Sequence, residues 1–132
     1  MIEQALKNFI RDHLDYDMLY TMNFSTKNDN VVTVYSNGGD KTSSYDGVLI
    51  EPSYQILVKS SDFEKAYNVS QSIFKLLHRQ SDLLMKVVFN DVQVDYKVYL
   101  IESSLPILLG VDEDDVMTYS INIKTHIREI NY

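Results

Sequence analysis

From Ile2 to Leu14 the apolar residues Ile2, Ala5, Leu6, Phe9, Ile10 and Leu14 recur at intervals of three and four, with Glu3, Lys7, Asn8 and Arg11 between them. That spacing is one apolar stripe on a helix and predicts a first helix over about 2–14. Its polar face mixes both charges, unlike the Lys- and Arg-rich face of a membrane-surface helix, so it is expected to pack on a sheet. Met18, Tyr20, Met22 and Phe24 then alternate as a short strand, and Lys27 to Asn30 reads as a turn. Val31 to Ser36 is a β-branched strand that Asn37-Gly38-Gly39-Asp40 is expected to stop, because these residues tolerate positive φ.

In the stretch 50–59, Ile50, Tyr54, Ile56 and Val58 share one face while Glu51, Ser53, Gln55 and Lys59 share the other, a half-buried strand with an edge or a bulge signalled by Pro52. Ser61-Asp62-Phe63-Glu64 fits a capping box, and Phe63, Ala66, Tyr67, Ser70, Ile73, Phe74 and Leu77 form the apolar stripe of a second helix over about 62–79. A short strand at 86–89, a turn at Asn90-Asp91 and an alternating strand from Val92 to Leu100 follow. Tyr119, Ile121, Ile123 and Ile127 alternate against Ser120, Asn122, Lys124, His126 and Arg128 in the last strand. Consecutive strands with two separate helices describe an α+β fold, a mostly antiparallel sheet with two main helices packed against it. No internal repeat, linker or low-complexity tract divides the 132 residues, a length that suits a single domain with one core.

Composition narrows the function. Apolar residues make up 45% of the chain and charged residues 23%, values of a chain that folds rather than one that stays disordered. With no cysteine, neither disulfides nor thiolate metal sites exist, and synthesis in a reducing compartment is expected. The N-terminus has no basic start followed by a long apolar run, and no segment approaches the ~20 apolar residues that span a bilayer, so no membrane role is expected. A net charge of −7 opposes condensation on phosphates, and the nearest approach to a basic cluster, Lys75, His78 and Arg79, suits a solvated helix end. The ten tyrosines suit half-buried sheet faces.

The conspicuous candidate for chemistry is the acidic tetrad Asp112, Glu113, Asp114 and Asp115. A calcium loop of the EF-hand type needs oxygens at alternate positions, a central glycine and a glutamate at its twelfth position, and VDEDDVMTYSIN supplies neither of the last two. A surface turn is the expected state. Gly38-Gly39 leads into a polar loop rather than a helix, so it lacks the context of a phosphate cradle. His13, His78 and His126 stand in no nucleophile motif and are expected at the surface. Paired carboxylates for glycoside hydrolysis are defined by their spatial separation, and no sequence pattern picks out such a pair. No cofactor and no catalytic residue are expected.

Three stretches together resemble a known family. VVTVYSNGGD (31–40) is similar to a strand running into a Gly-Gly loop, PSYQILVKSSDFEKAYNVSQSIFKLLH (52–78) to a strand followed directly by a long helix, and LPILLGVDEDDVMTYSINIKTHI (105–127) to a turn of Gly, a spacer and Asp-Glu before a final strand. With the N-terminal helix, this order resembles the small tail terminator proteins, or minor capsid proteins, of long-tailed bacteriophages. The chain departs from that pattern at Lys59, where Arg is commoner, and at Asp114 and Asp115, where a Gly or a basic residue follows the Asp-Glu.

The resemblance implies a non-enzymatic virion protein of the tail and neck, made in the host bacterial cytoplasm. It implies a homo-oligomeric ring, a hexamer, that caps the head-proximal end of the tail tube, stops its polymerisation and meets the head–tail connector protein, while DNA passes through without specific binding. Loops on a rigid sheet commonly carry contacts. The candidate oligomer and tube interface is therefore the loop from Asn37 to Gly47, with Asn37, Gly38, Gly39 and Asp40, and the turn of Gly110, Asp112, Glu113, Asp114 and Asp115. The alternatives are another neck or head-completion protein, an interaction module outside phages and, more remotely, a Mg-dependent cytosolic enzyme using the acidic turn.

Overall fold

The computed structural model describes residues 1–39 and 49–130. Helix α1 (Glu3–His13) buries Ala5, Leu6 and Ile10, with Ile2 buried just before it. No side chain caps its start. Instead the backbone amide of Ile2 donates to the hydroxyl of Tyr54, 3.1 Å away in the core, and so ties the helix to the sheet.

Strand β1 (Leu19–Met22) pairs parallel with β2 (Val31–Gly39). Asn23 and Asn30, at φ 59° and 51°, turn the short connection between them, and the Asn23 side chain accepts from the Ser36 amide. The β2 strand does not stop at Asn37 as expected. It runs through Gly39, which pairs with Pro52 after a register shift that follows Ser36. Asp40 and the rest of the loop to Gly47 lie outside the described residues.

Strand β3 (Pro52–Ser60) alternates strictly, with Pro52, Tyr54, Ile56, Val58 and Ser60 buried. It is an interior strand, so Pro52 marks the bulge and not an edge. Helix α2 (Phe63–Leu77) follows at once. Its N-cap is Asp62, which accepts from the Lys65 amide at 3.1 Å, and not the Ser61 of the expected capping box. Ser61 is taken by Asp29, whose two carboxylate oxygens accept its amide at 2.8 Å and its hydroxyl at 2.7 Å.

The remaining strands are β4 (Ser81–Phe89), β5 (Val92–Ser103), β6 (Ile107–Val111) and β7 (Met117–Ile130). A two-residue turn of Asn90 and Asp91, both at positive φ, joins β4 to β5. A bulge between Val98 and Leu100 shifts β5 by one residue against β7, so that Ile101 enters the core and Leu100 does not, against the simple alternation. The strand order is β1-β2-β3-β7-β5-β4, antiparallel except for β1 and β2, with β6 paired to β7 beside β5. Although β1 and β4 end the order, Met22 of the first and Val87 and Phe89 of the second line one groove, and α1 touches both. The sheet therefore curls around α1, and the fold is α+β as expected.

The Asp29 tether joins the β1–β2 connection to the start of α2. The hydrogen bonds from Ser61, its amide first, hold the Asp29 carboxyl below its ordinary value. A carboxylate favoured in the folded state contributes stability that is complete above the unfolded value near 4 and is lost as pH falls through the folded one. Asp29→Ala is expected to lower the melting temperature at pH 7 by roughly 2–5 °C. It should also make the acid limb of the stability curve shallower, which melts at pH 7 and pH 3 compare directly.

Candidate assembly surfaces

The acidic tetrad closes on itself. The Asp112 carboxylate accepts the amides of Asp114 at 2.9 Å and Val116 at 3.0 Å, and its own amide donates to the Val116 carbonyl. Asp115 takes φ 60° to complete the turn. One carboxylate is thus the internal brace of the β6–β7 hairpin, while Glu113, Asp114 and Asp115 stand in solvent. Among the described residues no three His, Asp or Glu side chains are grouped to hold a metal ion. Gly110 lies at φ 135°, a conformation that side chains rarely adopt, beside the register shift in β6, and its surroundings are open.

The two parts of the expected interface are far apart. Asn37 borders a shallow hollow with Ser53 and Tyr54 at the start of β3, whereas Gly110 and Asp112 border another with Lys59 near its end. Five residues of strand separate them, roughly 16 Å. Gly38 and Gly39 extend β2 beyond Asn37.

The chain presents two apolar sheet edges that its hydrophobic periodicity does not announce. Within the run LPILLGV, for which the sequence predicts no strand, Ile107 to Val111 form β6, and Ile107, Leu108, Leu109 and Val111 are each 45–58% exposed. On the same side of β7, beyond β5, the edge strand β4 is nine residues long rather than the expected four, and Leu84, Val88 and Phe89 lie open on it. Among the described residues, β6 pairs only with β7 and β4 only with β5. Unpaired edges of this kind are ready surfaces for another chain. The absence of alternation in LPILLGV was the available signal, since an apolar run exposed on both faces is neither a half-buried strand nor a turn.

The histidines do not assemble a nucleophile. His13 Nδ1 lies 2.8 Å from the Phe9 carbonyl, and His78 Nδ1 accepts the Ser103 amide. His126, expected at the surface, is largely covered. Its Nδ1 is 3.1 Å from Glu51 and its Nε2 3.5 Å from Glu102, because the β5 bulge brings Leu100 opposite His126 and places Glu102 beside Lys124. A hydrogen bond from Lys124, reinforced by the charges of Lys124 and His126, holds the Glu51 carboxyl below its ordinary value. None of these contacts joins a histidine to a Ser or Thr hydroxyl, so the arrangement is a cross-strand ionic cluster and not a charge-relay triad.

No helix among the described residues is long and apolar enough to cross a membrane. No curated protein matches the chain. A family profile does: that of the bacteriophage tail terminator protein, over residues 9–129, which takes in the end of α1, all of α2, strands β1 to β6, the acidic hairpin and all but the last residue of β7. With nearly the whole length matched, and with a fold whose open features are sheet edges, the chain belongs to the bacteriophage tail terminator family, structural proteins of the phage tail.

Proposed function

We propose that this protein is a structural component of the virion that forms a ring on the head-proximal end of the tail tube, stops tube polymerisation and joins the tail to the head. The observation that carries the reading is the family match over residues 9–129, to which the two open apolar edges give a physical means. A head-to-tail contact between unlike surfaces of one subunit closes into a ring when its rotation permits, and a hexamer is the closure we expect. One side of the ring then meets the tail-tube protein, and the other meets the head–tail connector. The chain works as a single domain without cofactor or catalysis, assembled in the host cytoplasm and carried in the virion neck.

An acidic ring also suits a conduit for DNA. Carboxylates facing the lumen repel the genome from the wall, so that it passes without adsorbing. Replacing Asp112 to Asp115 by their amides is expected to slow DNA ejection from assembled virions, and unchanged ejection removes the tetrad from this role. The ring itself is tested by the native mass of the purified protein, with negative-stain images. A closed multi-subunit ring, formed alone or on addition of tail-tube protein, is the expected result. A monomer indifferent to tube protein contradicts it.

A further inference from the structure

We infer that copies of this chain join through the free edge of β6 on one subunit and the free edge of β4 on the next, as antiparallel strands of one continuous sheet. The inference rests on the ring reading above and names the surfaces that would close it.

Both edges need covering. Each carries open backbone hydrogen-bonding groups and exposed apolar side chains, Leu108 and Leu109 on β6 and Leu84 and Val88 on β4. Beside β4 lies the groove that Val87 and Phe89 line with Met22 and Tyr96, about 530 Å³ in volume and largely apolar. A strand added to the β4 edge would turn alternate side chains over this groove and the others onto the opposite face of the sheet.

Charge selects the partner and the direction. On that opposite face, Leu84 of β4 stands across from Lys97 of β5, and Lys97 across from Arg128 of β7, with Lys86 on the next outward position of β4. Asp82, 3.5 Å from Lys97, and Asp95, across from Lys86, leave this patch net positive on a chain whose overall charge is −7. The Lys97–Asp82 pair is exposed and weak, so Lys97 can exchange one carboxylate for another.

The segment of this chain that complements the patch is β6, which ends directly in the acidic turn. Laid antiparallel along β4 with Ile107 across from Phe89, the five residues of β6 cover Phe89 to Met85 and bring the start of the acidic turn, Asp112, to the single row of Leu84, Lys97 and Arg128. Laid parallel, the same strand would carry the turn to Asp91, where like charges repel. Because the two edges are different surfaces of one subunit, the contact repeats head to tail and leaves one β6 and one β4 free at each stage until the ring closes. Complementary charge of this kind adds specificity and speed of association more than affinity.

The test uses the full chain and measures native mass by light scattering, with a circular-dichroism melt to show that each variant is folded. Leu109→Lys blocks the β6 edge and Val88→Lys blocks the β4 edge, both at exposed positions. Each alone is expected to weaken self-association at least about tenfold and to leave monomers under conditions in which the wild type assembles. Mixed in equal amounts they should form a dimer and nothing larger, since one retains a working β4 and the other a working β6. Asp114→Lys should weaken assembly and Lys97→Glu in the same chain should restore it. If the wild type forms rings but both edge variants do so equally well, or if the mixture stays monomeric, the edge assignment is overturned while the ring reading stands. If the wild type never assembles, alone or with tube protein, the ring reading falls with it.

Discussion

Tyr54→Ala is expected to cost about 3–5 kcal/mol of folding stability, and Tyr54→Phe about 1–3 kcal/mol. Tyr54 is fully buried on the inward face of β3, between β2 and β7 and beneath α1, so truncation opens a cavity where three elements meet. Its hydroxyl also accepts the Ile2 amide, so the phenylalanine variant strands a buried donor at the start of α1. For a domain whose whole stability is of order 5–15 kcal/mol, the alanine variant approaches global unfolding. Urea unfolding at pH 7 measures both.

The same residue sets an alkaline limit. Burial pushes the Tyr54 phenol far above its ordinary value of 10.0, and burial raises Tyr20 and Tyr96 as well. A phenol kept neutral by the fold contributes stability that is complete below the unfolded value and is lost as pH rises through the folded one. Stability should therefore hold to about pH 10 and fall beyond it. Tyr54→Phe should make that decline shallower, since it removes the most strongly raised of the three phenols.

Ile73→Ala is expected to cost about 2–5 kcal/mol, whereas Phe63→Ala should change stability by less than about 0.5 kcal/mol. Both residues stand on the apolar stripe read from the sequence of α2, yet Ile73 is fully buried and Phe63 is 44% exposed. The buried line is Ala66, Val69, Ser70, Ile73 and Leu77, rotated so that Phe63 and Tyr67 emerge at its side. Tyr67 makes an edge-on ring contact with Tyr119, 6.4 Å between centroids, and is 51% exposed. Melting curves of the two alanine variants compare the alternatives directly. An equal loss at both positions would mean that α2 packs on the sheet by the wider stripe.

The contrast shows where sequence periodicity stops. Helix α1 was legible because its stripe is narrow and bounded by charge, and β3 because its alternation is strict. Alternation alone could not give the parallel direction of β1, which is set by asparagines at positive φ, nor the bulge that puts Ile101 rather than Leu100 inside. The second N-cap was misplaced by one residue because Ser61 and Asp62 are both capping types, and only the long-range partner Asp29 decides between them. Of the expected interface, the acidic turn is a hairpin tip as read. The apolar edges beside it were hidden because exposure belongs to the sheet and not to the residue.

The defining property of a tail terminator is that it ends a growing tube. Tail-tube protein of the same phage should be allowed to polymerise with and without this chain, and tube lengths and ends measured by electron microscopy. The account predicts shorter tubes of narrowed length, each with a cap of added density at one end, and arrest at a concentration that matches tube ends rather than tube subunits. Tubes of unchanged length with bare ends would contradict it.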